Sequence, residues 1–217
     1  MARPRSAGYD DQRDQILARA AELFARHGYT ATSMNQVAAA CELSKAALYH
    51  YVRDKHALLA LVAEAHVKRL EAVITEVLAE KLAPEARLRA LIARFVREYA
   101  NAQNEHRVLT EDVKFLDEPA REAVLASQRR VVNQFADTVA AVRPELRGAE
   151  LHKPLTMLLF GMINWMFTWL RPGRPLTYEQ MAPMVAELFF GGIGSVGLPA
   201  APPSPSRKKT PRKETVL

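Results

Sequence analysis

Residues 13–62 read RDQILARAAELFARHGYTATSMNQVAAACELSKAALYHYVRDKHALLALV, and the punctuation of this stretch decides the fold. Ile16, Leu17, Ala20, Leu23 and Phe24 recur at helical spacing and form one apolar face, which predicts a first helix over about residues 11–27. Gly28 stands where a glycine ends such a helix. Ser33 followed by Gln36 has the capping-box spacing and opens a short helix from Val37 to Ala40. Ser44 is placed to cap a third helix, Lys45 to about Val52, and Asp54 to cap a long fourth. Two short capped helices with a brief turn between them, buttressed by an amphipathic helix in front, make a helix-turn-helix pattern. Such a unit lays its second short helix in the major groove of DNA.

The rest of the chain is also helical in pattern. Leu58, Val62, Ala65, Val73 and Val77 carry the fourth helix, and Pro84 opens a fifth with Leu88, Leu91, Ile92, Phe95 and Tyr99 on one face. A short sixth helix holds Val108, Leu109, Val113 and Leu116. A seventh starts at Pro119 and runs inward through Val124, Val131, Phe135 and Val139 to a stop near Pro144. The eighth spans about 149–170. Thr177 and Gln180 cap a ninth that ends at Gly191, with Pro183 inside it predicting a kink or a later start. The fold class is therefore all-α, with about nine helices. Three units follow: a helix-turn-helix domain at 11–57, a larger helical ligand-binding and dimerisation domain at 58–192, and a basic, disordered tail at 193–217 whose Gly, Pro and Ser content cannot bury a core.

Of the 217 residues, 30 are lysine or arginine and 24 aspartate or glutamate, and one is cysteine. A lone cysteine excludes a disulfide framework or a cysteine-based zinc site and fits a reducing compartment. The charged start MARPRSAGYDDQRDQ has no apolar core, so no signal peptide is expected and the location expected is cytoplasmic. The net charge of +6 divides into +2 over residues 1–55, zero over 56–198 and +4 over 199–217. Most of the basic excess sits in the tail, so charge alone does not establish nucleic-acid binding.

The second short helix presents Lys45, Tyr49, His50 and Tyr51 within two turns. Lysine and tyrosine suit phosphate oxygens, and the small Ala46 and Ala47 permit close approach. Further on, PLTMLLFGMINWMFTWL gives 17 residues without a charge. At 1.5 Å per residue it spans roughly 26 Å, short of a membrane core of about 30 Å, so burial on every side within protein is expected and a membrane span is not. Glu111, Asp112, Asp117 and Glu118 cluster around the sixth helix, where a solvated loop is the plainer reading and a cationic ligand the sharper one. Gly192-x-Gly194-x-x-Gly197 spells a dinucleotide fingerprint but follows a helix and leads into PAAPPSP. The histidines are scattered, and no catalytic triad, metal motif or cofactor signature occurs. No enzyme activity, metal or cofactor is expected.

In order and spacing, LFARHGYTATS, LSKAALYHYV and DKHALL resemble the N-terminal DNA-binding domain of the TetR family of bacterial regulators. The chain departs from the family pattern at Glu42 and Ala46, where glycine is usual, and at Val52, where an aromatic is common. The resemblance implies that Thr32, Ser33, Tyr49, Tyr51 and Lys55 hold the DNA backbone and that Lys45, Ala46, Ala47 and His50 face bases, with Ser44 at the head of the same helix. Arg3 and Arg5, ahead of the first helix, are further candidates. It also implies a homodimer formed through the last two helices, the eighth and ninth, acting on a double-stranded, palindromic operator as a repressor. The inner side of the eighth helix would then line an effector cavity.

Within that implied cavity the candidates are Phe95, Tyr99, Phe115, Met162, Trp165, Met166 and Trp169, adaptable and polarisable groups that core packing would serve equally well. FGMINWMFTWLRPGRPLTYEQMAPMVAELFFGG is similar to TetR-type regulators of fatty-acid, steroid and phenylacetate catabolism, whose effectors are commonly acyl-CoA thioesters. Arg97, Arg121, Arg129 and Arg130 are available for the phosphates of such a ligand, Arg121 foremost. Two readings compete with a repressor released by acyl-CoA. One is a multidrug sensor controlling an efflux pump; the other, of a different class, is a helical small-molecule-binding protein or enzyme that carries the N-terminal module.

Overall fold

The computed structural model describes residues 7–170 and 176–197, and every regular element among them is helical. Helix α1 (Ala7–His27) ends at Gly28, whose φ of +85° turns the chain out of the helix. Helices α2 (Met34–Ala40), α3 (Lys45–Tyr49) and α4 (Lys55–Ala79) each begin at the expected cap. Ser33 accepts from the Gln36 amide while the Gln36 side chain takes the Ser33 N–H, Ser44 accepts from Ala47 at 3.1 Å, and Asp54 accepts from Ala57 at 2.8 Å. Such caps satisfy helix amides that have no partner within the helix. Ile16, Phe24, Val37, Leu48, Leu58 and Leu59 are fully buried together and lock the three N-terminal helices onto the start of α4.

Beyond α4 come α5 (Pro84–Asn101), α6 (Gln103–Glu111), a single 3-10 turn at Val113–Phe115, and α7 (Glu118–Val142). Helices α8 (Glu145–Gly148), α9 (His152–Asn164), α10 (Met166–Trp169) and α11 (Tyr178–Ile193) complete the described chain. Helix α5 packs against α11 and α4, α7 against α4, α5 and α9, and α6 lies across α1 and α4. At the centre Phe95, Phe135 and Phe160 meet edge to face or tilted, with centroids 4.7–6.3 Å apart. Burying a side chain of that size contributes about 1.5–3 kcal/mol. Arg143, at the end of α7, donates to the Ile193 and Val196 carbonyls and so anchors the end of α11.

Three expectations need adjustment. The sixth helix begins earlier, at Gln103, and gives way to the 3-10 turn before Leu116. Pro183 does not delay the ninth predicted helix: α11 starts directly behind its Thr177 capping box and runs through the proline. The eighth predicted helix is divided into α9 and α10 at a break that falls at Trp165, and the short α8 precedes it. A side chain from another helix accounts for that break. His106 takes the Asn164 carbonyl at 3.1 Å, and Thr168 turns both its amide and its hydroxyl to the Trp165 carbonyl instead.

The uncharged run is not buried on every side. Leu155, Leu159, Phe160 and Ile163 face the core, whereas Leu158 is 66% exposed and Trp165 54%. Among the described residues no helix is long and apolar enough to cross a membrane. Arg3, Arg5 and residues 198–217 of the tail lie outside the described residues.

Candidate functional site

Two sites can be built from these elements, one on the surface of α3 and one among the helices behind it. The turn between α2 and α3 runs through Glu42, at φ +56°, and is closed by the Leu43 amide on the Ala38 carbonyl at 2.9 Å. With Leu48 buried beneath, α3 presents Lys45, Ala46, Tyr49 and His50 outward, all exposed, while Ala47 is half-buried. Ser33 and Ser44 are exposed and serve as caps. Tyr51 is half-buried and stacks on Tyr9 of α1 at 4.7 Å.

Thr32 and Lys55, expected at the DNA backbone, are engaged within the protein. Thr32 is buried, and its hydroxyl reaches the Gly28 carbonyl at 2.9 Å and the Leu23 carbonyl at 3.3 Å. The Lys55 ammonium donates to the carbonyls of Tyr29, Thr30 and Thr32 at 2.9–3.2 Å and lies 4.4 Å from the Tyr29 ring centre. Both residues fasten the loop between α1 and α2 to the start of α4. Tyr29 in that loop stacks on Phe115 at 5.4 Å, so Phe115 sits at the seam between the helix-turn-helix and the larger domain.

Helices α4, α5, α6, α7 and α9 line a half-open cavity of about 220 Å³. Its apolar wall includes Val67 and Leu70 of α4, Val131 and Val132 of α7, and Met157 and Phe160 of α9. Its polar lining is Tyr99, His106, Thr110, Gln128 and Asn164; no lysine, arginine or carboxylate lines it among the described residues. Tyr99 donates to the Asn164 side-chain oxygen at 3.0 Å and stacks on His106 at 3.8 Å. Burial raises the Tyr99 phenol well above its ordinary value, so it remains a donor.

A directed chain of hydrogen bonds leads from this lining to α4. A carbonyl can only accept, so the contact with Asn164 places the His106 proton on Nε2 and leaves Nδ1 as an acceptor. His66 Nε2 faces that acceptor at 3.4 Å, and His66 Nδ1 accepts from Arg69 at 3.3 Å. Arg69 is held in turn by Glu98 at 2.9 Å and Glu105 at 3.7 Å. Burial lowers the pKa of both histidines, and His66 is pushed further by His106 and Arg69. Both rings are therefore neutral at physiological pH.

Of the cavity residues expected from sequence, Tyr99 alone lines this space. Phe95 lies in the aromatic core behind it, Met166 is buried, Met162 is half-buried, and Trp165 and Trp169 are more than half exposed. Arg121 pairs with Glu118 on its own helix, Arg129 with Glu122, and Arg130 with Glu71 across to α4 at 2.9 Å. The carboxylate cluster is likewise divided: Glu111 pairs with Arg107, Asp117 caps α7, and the Asp112 carboxyl is raised by burial. None of these lines the cavity. The sequence does not single out His106 and Asn164, because their partners are distant in the chain. A signal was present, since His66 lies among Val62, Ala63, Val67 and Leu70 on the apolar stripe of α4.

Residues 16–62 match the model of the bacterial regulatory proteins, tetR family, and residues 81–193 that of the tetracyclin repressor-like, C-terminal domain. The HTH-type transcriptional activator FasR of Mycolicibacterium smegmatis is 26% identical over 194 residues, covering 87% of this chain and 86% of its own. A TetR-family transcriptional regulator from Bordetella parapertussis superposes with a TM-score of 0.80 at 34% identity, over 87% of this chain and 98% of the other. AibR, solved in complex with isovaleryl coenzyme A and operator DNA, superposes with a TM-score of 0.71 at 24% identity, over 82% and 97%.

Proposed function

This chain belongs to the tetR family of bacterial regulatory proteins, and from that premise we propose a cytoplasmic transcriptional repressor that binds a palindromic operator as a homodimer and is released by an acyl-CoA thioester. The observation that carries the effector reading is the cavity itself. It is apolar with a few neutral polar groups, and one of its walls is α4, the helix that continues from the helix-turn-helix. A cationic drug would find no carboxylate there among the described residues, and burying an uncompensated charge is costly. An acyl group needs none. AibR, of the same fold, is solved with both an acyl-CoA and operator DNA.

Lys45, Ala46, Tyr49 and His50 are the residues of α3 free to meet the major groove, with Ser33, Ser44, Ala47 and Tyr51 beside them. Dimerisation is supported by exposed apolar side chains on α9, just past it and on α11, where Leu158, Trp165 and Leu188 stand in solvent in a single copy. An effector acts by binding one arrangement of α4 better than another, which lowers operator affinity by the same coupling energy.

The test is a mobility shift on the DNA upstream of the protein's own gene. The outcome required is a retarded band at low salt, a protected palindrome, and loss of the band on adding acyl-CoA but not cationic dyes. No shift with any neighbouring fragment would rule out the DNA reading. A band strengthened by acyl-CoA would overturn release by the effector while leaving the DNA reading in place.

A further inference from the structure

Taking the cavity to be the effector site, as proposed above, we infer that it accepts the short, uncharged acyl part of a CoA thioester, whose carbonyl oxygen is received by the side-chain amide of Asn164.

Size comes first. A dry cavity of about 150 Å³ admits benzene, with its six non-hydrogen atoms, so one of about 220 Å³ admits roughly nine. A palmitoyl chain needs about twice that space. The wall cannot yield easily, because Phe160 packs on Phe135 at 4.9 Å and Val131 is buried beside Leu70. Deepening the cavity inward would mean taking apart the aromatic centre of the domain.

Chemistry comes second. Tyr99 donates to the Asn164 side-chain oxygen, which fixes the amide and leaves its Nδ2 with no partner among the described residues. Asn164 lines the cavity, so this donor is available to whatever enters. One neutral N–H suits a thioester carbonyl. A free carboxylate would lose its hydration for a single neutral hydrogen bond, with no cation beside it, and is disfavoured. Position comes third. Asn164 closes α9 at the break held open by His106, so a ligand on its side chain touches the residue from which the hydrogen-bond chain runs to α4.

The experiment is calorimetric titration of the full-length protein with coenzyme A and with butyryl-, hexanoyl-, octanoyl-, lauroyl- and palmitoyl-CoA, alongside the free acids. Tightest binding is expected between butyryl and octanoyl, at least tenfold weaker binding from lauroyl upward, and none for the acids. Asn164→Asp removes the donor and should weaken octanoyl-CoA about tenfold without altering the order of chain lengths. Met157→Ala, at an exposed position on the rim, should move the optimum toward longer chains with folding intact. Tightest binding of palmitoyl-CoA, or an acid that binds as well as its thioester, would overturn the inference while leaving an acyl effector in place. If no thioester binds, the acyl-CoA reading fails and this inference with it.

Discussion

Glu42 adopts a left-handed backbone at φ +56°, in the turn that sets α3 against α2. The conformation costs a side-chain-bearing residue about 1–2 kcal/mol and glycine almost nothing, although glycine loses more entropy on folding. Glu42→Gly should therefore raise the unfolding free energy by about 0.5–1 kcal/mol in urea titrations, with operator affinity unchanged. The two lysines flanking α3 should part company under mutation. Lys55→Met removes the ammonium from three loop carbonyls, of which that of Tyr29 keeps only the Thr32 amide, and should lower stability by about 1–3 kcal/mol. Lys45→Ala removes an exposed charge and should leave the melting temperature alone, while weakening operator binding and reducing its salt slope by about one. Thermal melts and salt-dependent binding isotherms separate the two effects.

At the scale of elements, the break between α9 and α10 depends on one imidazole. With His106→Leu the Asn164 carbonyl loses its donor and becomes free to accept from Thr168, so α9 and α10 should join into one helix. The measurement is a crystal structure of the variant, supported by slower amide exchange at Thr168. Because the same ring is the middle of the route from the cavity to α4, release from the operator by effector should weaken about fivefold or more. Binding to DNA without effector should stay within about threefold. A variant whose helices join but whose response is intact would separate the break from the signal.

For the molecule as a whole, two properties follow from what is buried and what is not. His66 and His106 hold their pKa values below the ordinary histidine range, so the unfolded chain binds more protons than the folded one at mildly acid pH. Their contribution is fully present above about pH 6.5 and is lost as pH falls below it, by at most about 2.7 kcal/mol per pH unit for two protons. Urea midpoints between pH 7.5 and 5 should show this decline, and His66→Gln, which keeps an N–H donor but does not titrate, should make it shallower. The exposed apolar side chains of α9 and α11 are the other property. Leu188 is 70% exposed in one copy, and Leu188→Arg should yield a monomer in sedimentation with its helix content unchanged. A dimer that survives the substitution would place the interface elsewhere.

Much of this molecule was legible in its residues. Ser33, Ser44, Asp54 and Thr177 cap helices by bonds to amides three residues away, and Gly28 ends α1 through its own φ. Such interactions are local, so the all-helical class, the helix-turn-helix and the family resemblance could be read without coordinates. Thr32 and Lys55 were harder, because a hydroxyl or ammonium suited to phosphate suits a loop carbonyl equally well. Of the cavity, Tyr99 and the inner side of the eighth predicted helix could be read, and its polar network could not. Asn164, His106 and His66 come from three helices, and their partnership exists only where α9, α6 and α4 cross. Sequence determined where each helix starts and stops, because hydrogen bonding within a turn is a property of neighbours. Tertiary structure decided which polar groups face the cavity and where the uncharged run breaks, because a carbonyl captured from across the fold leaves no periodicity behind.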